Sequence, residues 1–247
     1  MPLRLPAGIS ACLFDLDGVL TETATLHAAA WKQMFDEFLV SRAPSSATAS
    51  VPFDEVRDYD DYVDGKPRLD GARAFLRSRA IDLPEGGPTD APGTATLNGL
   101  ANRKNDIFLT LMQEHGVTVY PGSRRFLEKV RDASFKTAVV SSSANAHHVL
   151  QAAGLEGLFD VVVDGLDVEA GHLRGKPAPD TYLAGADRLG VQPRAAAIFE
   201  DALAGVEAGR AGAFGFVVGV DRVGQAHQLR AHGADTVVTD LAELIEP

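Results

Sequence analysis

The most constraining feature of this sequence is the alternation, from Phe135 onward, of short apolar runs with segments of helical periodicity. Such alternation predicts a parallel sheet covered by helices on both faces. The predicted strands are Thr137–Val140, Val161–Val163, Ala195–Phe199, Phe214–Val218 and Thr236–Val238, preceded by Ile9–Phe14 near the amino terminus. The predicted helices between them lie near Ala146–Ala153, Asp180–Leu189, Ala204–Ala211 and Gly224–Ala231.

About 120 residues separate the first predicted strand from the second, which is too many for one crossover. Helical periodicity within this stretch predicts helices around Thr25–Leu39, Asp70–Arg79 and Ala101–His115. The sequence therefore predicts an α/β fold in two parts: a Rossmann-like core, residues 1–22 and 117–247, and an inserted helical cap, residues 23–116. Gly, Pro, Thr and Asp crowd residues 84–99 of the cap, which predicts a mobile or irregular loop.

Composition excludes several classes of function. The formal net charge of −11 opposes broad attraction to nucleic acid or to anionic lipid. The first apolar stretch, Ile9–Leu20, is interrupted by Asp15 and Asp17 and is too short to cross a bilayer. The single cysteine, Cys12, cannot form an internal disulfide and fits a buried core position. We expect a cytoplasmic monomer with no nucleic-acid or membrane partner.

Polar residues follow several of the apolar runs, at the carboxyl ends of strands, where open α/β sheets bind ligands. The first run ends in two carboxylates, the second in hydroxyl groups and the fourth in an adjacent acidic pair, while an isolated lysine precedes a predicted helix. We expect these groups to meet at one edge of the sheet. They are Asp15 and Asp17, Ser141–Ser143, Lys176, and Glu200 with Asp201.

These groups complement one another in phosphoryl transfer. The carboxylates of Asp15, Glu200 and Asp201 are hard oxygen ligands suited to Mg²⁺. Mg²⁺ and Lys176 would neutralise a phosphate dianion while Asp15 attacks it as a nucleophile and forms a covalent phospho-aspartate. The Ser141 hydroxyl would hold the transferring oxygens. Asp17 would act as the acid and base.

Each pattern alone has an ordinary structural explanation. Asp-Leu-Asp can terminate a strand in a turn, and Ser141–Ser143 can cap a helix. A lysine before proline is usually solvated, and Glu200-Asp201 can interact with a helix dipole. The occurrence of all four patterns in one order favours a phosphate site.

The four segments resemble the motifs of the haloacid dehalogenase-like superfamily. Asp15-Leu16-Asp17-Gly18-Val19-Leu20-Thr21 resembles the first motif, Ser141 the second, Lys176 the third and Glu200-Asp201 the fourth. The second acid of the first motif implies phosphate chemistry rather than dehalogenation. The resemblance also implies that Mg²⁺ is bound by the Asp15 side chain, the Asp17 backbone carbonyl and the fourth-motif acids.

Further segments resemble the β-phosphoglucomutase subfamily, whose cap is a helical insert after the first motif. They are Thr23 and His27 before Ala30-Trp31-Lys32, Arg103-Lys104-Asn105-Asp106, Val119-Tyr120-Pro121-Gly122, Ser141 to Asn145, and Lys176 to Asp180. The resemblance implies interconversion of β-glucose 1-phosphate and glucose 6-phosphate through a bisphosphate. It also implies that Thr23 and His27 lie beside Asp17 and that Ser143 and Asn145 contact a small phosphorylated sugar. From the residue alone, His27 is also consistent with a helix-face histidine without a ligand role.

A mutase binds two phosphates, and Gly65, Lys66 and Arg68 in the cap are the predicted distal clamp. Arg68 resembles the cap arginine of the subfamily, but Asp64 stands where a lysine is expected. The same residues are also consistent with an exposed charged turn. A phosphatase of small sugar or polyol phosphates that uses the same aspartyl-phosphate is the open alternative. A non-enzymatic phospho-aspartate receiver or sugar-phosphate binding protein is disfavoured, because a receiver is about half this length and needs no long insert after its first strand. In a mutase, we expect the cap to exclude water.

Overall fold

The structure is a computed structural model that describes residues 3–42, 51–171 and 173–246. The chain folds into two compact units. One unit comprises Met1–Glu22 and Val117–Pro247, and the other comprises Thr23–Gly116. No helix in the described ranges combines the length and the apolar character that a bilayer crossing requires.

The unit Thr23–Gly116 is helical and is built around an aromatic cluster. Phe35 lies 4.1 Å from Phe75 and 5.3 Å from Phe53 between ring centroids, and Trp31 stacks on Phe35 at 5.2 Å. Trp31 is buried, as expected for a packing residue. The helices are α1 (Thr23–Ser41), α2 (Arg68–Ser78) and α3 (Leu97–His115), with a π-helical turn at Tyr59–Val63.

Helix α3 begins four residues before the predicted Ala101 because Thr96 caps it. The Thr96 side chain accepts a hydrogen bond from Gly99 N at 2.9 Å. The irregular segment before α3 is attached to this helix by side-chain amides: Asn98 donates to Glu85 O, and Asn102 donates to Pro88 O and Asp90 O. The predicted irregular loop is therefore shorter than residues 84–99.

The other unit contains six parallel strands in the order β3-β2-β1-β4-β5-β6, which confirms the predicted parallel sheet. The first strand lies between β2 and β4, so residues that follow it are at the middle of the carboxyl edge. The strands are β1 (Ala11–Phe14), β2 (Lys136–Val140), β3 (Val161–Val163), β4 (Ala196–Glu200), β5 (Phe216–Val220) and β6 (Thr236–Val238).

Helices cover both faces of the sheet. They are α4 (Pro121–Asp132), α5 (Ala146–Ala152), α6 (Gly165–Gly171), α7 (Asp180–Leu189), α8 (Leu203–Ala211) and α9 (Ala226–His232), with 3₁₀ turns at Pro193–Ala195 and Leu241–Leu244. On one face, Leu13 packs in a core cluster with Tyr182 of α7 and Val206 of α8. On the other, Phe126 of α4 lies 6.2 Å from Phe14 and 5.1 Å from Phe199 between ring centroids. Cys12 is fully buried, as expected.

Two of these helices, α4 and α6, were not predicted. Helix α4 has proline at its first position and only a narrow apolar stripe, Phe126, Leu127 and Val130, among charged residues. Helix α6 is only seven residues long and buries little more than Gly165. The apolar residues of α4 nevertheless have helical spacing, so periodicity could have identified this helix, whereas α6 has no comparable apolar stripe.

The two points at which the chain leaves and re-enters this unit are joined by a short antiparallel ribbon. Thr21 and Val119 form an antiparallel bridge. Glu22 N donates to Thr118 O at 2.9 Å, and Tyr120 N donates to Leu20 O at 3.0 Å. The segments 20–22 and 118–120 therefore lie side by side.

Candidate active site

The centre of the candidate site is a buried ion-pair cluster at the carboxyl edge of the sheet. Asp15 directly follows β1, and its backbone N–H donates to Phe199 O at 3.0 Å. The Lys176 ammonium is 2.5 Å from Asp15 Oδ1 and 2.5 Å from Glu200 Oε1. A third hydrogen bond joins Lys176 Nζ to Val140 O at 3.1 Å. The sequence prediction that Asp15, Lys176 and Glu200 share one site thus agrees with the geometry.

Glu200 is held by three donors and is fully buried. Besides Lys176, the Tyr182 hydroxyl donates to its Oε1 at 2.9 Å, and Ala202 N donates to its Oε2 at 3.1 Å. The Lys176 ammonium also lies 4.8 Å from the centre of the Tyr182 ring, within range of a cation–π interaction. Glycine is required at position 205, where a Cβ would lie 1.7 Å from Glu200 Oε1.

The electrostatics of this cluster favour retention of protons. Burial raises the pKa of the Asp15 carboxyl well above its ordinary value; Lys176 opposes this, while Glu200 and Asp17 add to it. Burial alone would lower the pKa of Lys176, but the carboxylates of Asp15 and Glu200 outweigh burial and the net shift is upward. The raised pKa of Asp15 thus comes first from burial and then from the neighbouring carboxylates, whereas the raised pKa of Lys176 comes from the carboxylates alone.

A cation site fits this excess of carboxylates. Asp15, Glu200 and Asp201 each offer an oxygen, and the three oxygens lie within 4.8 Å of one another. The backbone of Gly18 packs against Asp201: a Cβ at Gly18 would lie 1.7 Å from Asp201 Oδ2. This donor set consists of hard oxygens, which matches the preference of Mg²⁺. Asp17, in the same loop, is half-buried and forms a bridge with Thr21.

The predicted hydroxyl segment forms a compact turn after β2. Ser141 is buried, and its backbone N–H donates to Val163 O at 2.9 Å. Ser143 N donates to Ser141 Oγ at 3.1 Å, and Asn145 N donates to Ser143 Oγ at 3.2 Å. Ser141 directly follows Val140, whose carbonyl oxygen accepts a hydrogen bond from Lys176. The turn therefore begins next to the ion-pair cluster.

In the helical unit, His27 lies against a buried lysine that the sequence analysis did not select as a site residue. His27 Nδ1 is 2.5 Å from Lys104 Nζ, and the imidazole stacks on Phe108 at 4.0 Å. Lys104 is 4% exposed, with its ammonium 5.1 Å from the centre of the Trp31 ring. Thr23 is buried in the first turn of the same helix, α1. Helical periodicity placed Lys104 on α3 but gave no sign of its burial.

The predicted distal clamp lies at the start of α2. Gly65 has a φ of +68°, a conformation that favours glycine. Arg68 Nη1 donates to Asn105 Oδ1 at 2.5 Å. Lys66 Nζ donates at 3.1 Å to the carbonyl oxygens of Asp61 and Tyr62, in the preceding turn. Lys66 is therefore engaged within its own turn, whereas Arg68 is oriented by a side chain of α3.

Residues 9–212 match the sequence family described as haloacid dehalogenase-like hydrolases. The chain belongs to the haloacid dehalogenase-like hydrolase family. Within this family it is 56% identical to a β-phosphoglucomutase of Mycobacterium bovis, over 98% of this chain and 94% of that protein. It is 31% identical to a β-phosphoglucomutase of Bacillus subtilis, over 96% of this chain and 92% of that protein.

Solved structures agree with this family assignment. A crystal structure of a β-phosphoglucomutase from Clostridium difficile aligns with a TM-score of 0.75 at 26% identity, over 96% of this chain and 93% of that chain. The resemblance to the haloacid dehalogenase-like family and to its β-phosphoglucomutase-like branch is thus confirmed. In the haloacid dehalogenase-like fold seen here, Asp15, Lys176 and the acidic pair Glu200-Asp201 are brought together by the parallel sheet.

Proposed function

We propose that the protein is a β-phosphoglucomutase that interconverts β-D-glucose 1-phosphate and glucose 6-phosphate through an aspartyl-phosphate and glucose 1,6-bisphosphate. The observation that carries the proposal is the buried contact of the Lys176 ammonium with Asp15 and Glu200. Such a cation beside a nucleophilic carboxylate suits the transfer of an anionic phosphoryl group. Similarity to β-phosphoglucomutases over nearly the whole chain supports the choice of sugar.

In the proposed cycle, phospho-Asp15 donates its phosphoryl group to the 6-hydroxyl of β-glucose 1-phosphate. The new bond joins that hydroxyl oxygen to phosphorus, the bond from phosphorus to Asp15 breaks, and Asp17 takes the hydroxyl proton. The resulting bisphosphate then presents its 1-phosphate. An Asp15 oxygen attacks that phosphorus, the bond to the sugar oxygen breaks, Asp17 returns the proton, and glucose 6-phosphate leaves.

Other residues of the core bind and orient the group in transfer. Lys176 neutralises charge on the phosphoryl oxygens, and the Ser141 hydroxyl donates to one of them. Ser143 and Asn145 contact the substrate near the phosphate. Mg²⁺, held by Asp15, the Asp17 carbonyl, Glu200 and Asp201, would supply further neutralisation of phosphate charge when bound.

The assignments in the helical unit belong to the same proposal. Arg68, with Lys66 and Gly65, binds the phosphate that is not in transfer, and Thr23 and His27 support the position of Asp17. Residues 23–116 act as a cap that excludes water, and residues 1–22 and 117–247 act as the catalytic core. The cytoplasmic location is supported by the single cysteine, and a monomer remains our expectation.

A phosphatase is the second candidate, because Asp64 stands where the subfamily resemblance expects a lysine. The two functions are separated by incubating the enzyme with β-glucose 1-phosphate and a trace of the bisphosphate. Glucose 6-phosphate without stoichiometric free phosphate is the result expected. Phosphate release alone would replace the mutase with a phosphatase.

The covalent step is tested with Asp15→Asn, which we expect to lose all turnover and all acid-stable phosphoenzyme detected by mass spectrometry. Asp160→Asn is the matched control, since Asp160 accepts a hydrogen bond from Thr137 N at the opposite edge of the sheet. This control should keep full activity. Turnover retained in Asp15→Asn would reject the covalent mechanism.

A further inference from the structure

The loop after β5 lies at the same edge of the sheet as the acidic site and has a fixed shape. In the parallel register Gly219 pairs with Glu200, so residues after Val220 extend beyond the strand end beside the Glu200-Asp201 pair. The Asp221 carboxylate accepts hydrogen bonds from the backbone N–H groups of Gly224 at 2.7 Å, Gln225 at 2.8 Å and Ala226 at 3.2 Å. This turn therefore presents its next side chains from a fixed backbone.

Arg222 connects this loop to the backbone that follows the first-motif acids. Its Nε donates to Gly18 O at 2.7 Å, its Nη2 to Val19 O at 3.3 Å and its Nη1 to Thr239 O at 2.8 Å. The guanidinium also stacks 3.6 Å from the centre of the Tyr120 ring. These contacts use the planar shape and the several N–H donors of the guanidinium group. A lysine ammonium at this position could not make all of them at once.

Gln225 connects the same loop to the fourth-motif acids. Its Nε2 donates to Asp201 O at 3.0 Å. The loop is thus hydrogen-bonded both to the Gly18–Val19 backbone and to the Asp201 backbone. These two segments are in close contact, because a Cβ on Gly18 would lie 1.7 Å from Asp201 Oδ2. A small displacement of either backbone would change the distances among the acidic oxygens.

We propose that Arg222 and Gln225 are positioning residues: from one loop, they fix the Gly18–Val19 backbone against that of Asp201 and thereby set the affinity of the acidic site for a divalent cation. The inference rests on the proposed function only for the existence of that cation site. The inference predicts a change in cation affinity opposite to the change expected from charge alone. Removing the positive charge of Arg222 would strengthen cation binding if charge dominated, but it weakens binding if position dominates.

The test is a calorimetric titration of the full-length protein with Mg²⁺ alone, without substrate. We expect the Mg²⁺ dissociation constant to rise about tenfold in both Arg222→Met and Arg222→Lys, because Met removes the donors to Gly18 O and Val19 O and Lys lacks the planar group that donates to both at once. Gln225→Met leaves the charge unchanged, and we expect a rise of roughly threefold to tenfold for loss of one hydrogen bond.

Arg210→Met is the matched control, because Arg210 also donates to a backbone carbonyl, that of Gly233, at 3.1 Å through Nε. Arg210 also pairs with Asp235, which precedes β6, so its contacts lie at the opposite edge of the sheet. It should lower the melting temperature and leave Mg²⁺ affinity unchanged. Should Arg222→Met fail to fold by circular dichroism, Arg222→Lys and Gln225→Met carry the test. Unchanged or tighter Mg²⁺ binding in the folded Arg222 variants would overturn the inference.

The outcome is separable from that of the proposed function. Wild-type protein that binds Mg²⁺ but makes no glucose 6-phosphate would refute the mutase while leaving this inference to be decided by the variants. Wild-type protein that binds no Mg²⁺ at all would overturn the inference together with the cation site.

Discussion

Replacing Lys176 by Met should destabilise the fold by a large and pH-dependent amount. The substitution removes an ammonium group that is bonded to two buried carboxylates, those of Asp15 and Glu200. Each charge-assisted hydrogen bond contributes about 1.5–3 kcal/mol. Leaving buried charges without their partner typically costs about 3–5 kcal/mol. We therefore expect the free energy of unfolding in metal-free buffer near neutral pH to fall by about 3–5 kcal/mol.

The pH dependence has a definite sign. Burial already raises the pKa of Asp15 in the folded protein, and loss of the ammonium removes the largest opposing influence. The folded variant then binds more protons than folded wild type at pH values between the raised pKa of this carboxyl in wild type and its still higher pKa in the variant. Its stability relative to wild type consequently decreases as pH rises through that interval. The deficit relative to wild type should therefore be smaller at about pH 5 than at about pH 8.

Urea denaturation at the two pH values, followed by circular dichroism, measures both effects. The matched control is Lys136→Met, since Lys136 is exposed and donates to Leu189 O at 2.5 Å at the opposite edge of the sheet. This control should lose about 0.5–1.5 kcal/mol at either pH. A Lys176→Met deficit no larger than that of the control, or one that grows at low pH, would refute the argument from buried charge.

Two other predictions concern the support of the site. Tyr182→Phe removes one hydrogen-bond donor from Glu200 and leaves no buried hydroxyl unpaired. The free energy of unfolding measured by urea denaturation should fall by about 1.5–3 kcal/mol. An unchanged denaturation midpoint would contradict a stabilising role of this hydrogen bond. Arg68→Met should raise KM for β-glucose 1-phosphate about tenfold or more, because a phosphate contact is lost. The control Arg73→Met breaks ion pairs to Asp70 and Glu85 in the same unit and should leave KM unchanged. Equal effects of the two arginine substitutions would argue against a distal phosphate at Arg68.

The sheet and the acidic cluster were predictable because strand order follows from the alternation of elements and because ligands collect at the carboxyl edge. Asp15 and Glu200 each stand at the end of a fully buried run, and so their meeting required no knowledge of side-chain packing. Lys176 was recognisable only because it accompanied them. A lysine before proline carries no signal of burial by itself.

The supporting residues could not be predicted in the same way. Helical periodicity placed Tyr182 on α7, but its hydroxyl contact with Glu200 depends on how α7 packs against the sheet. Arg222 was missed because the strand predicted as Phe214–Val218 actually ends at Val220. Position 222 therefore lies at the carboxyl edge of the sheet, beside the acidic site. Lys104 was missed because its burial depends on the packing of α1 against α3.

The ribbon formed by residues 20–22 and 118–120 has a consequence for engineering and for ancestry. Since Glu22 and Thr118 are already hydrogen-bonded neighbours, a short linker could replace the whole intervening segment without stretching the chain or disturbing the sheet. An ancestral protein could have gained such an insert through a single event at a hairpin-like turn, and helical inserts of different lengths could be exchanged at this junction while Asp15 keeps its place after β1.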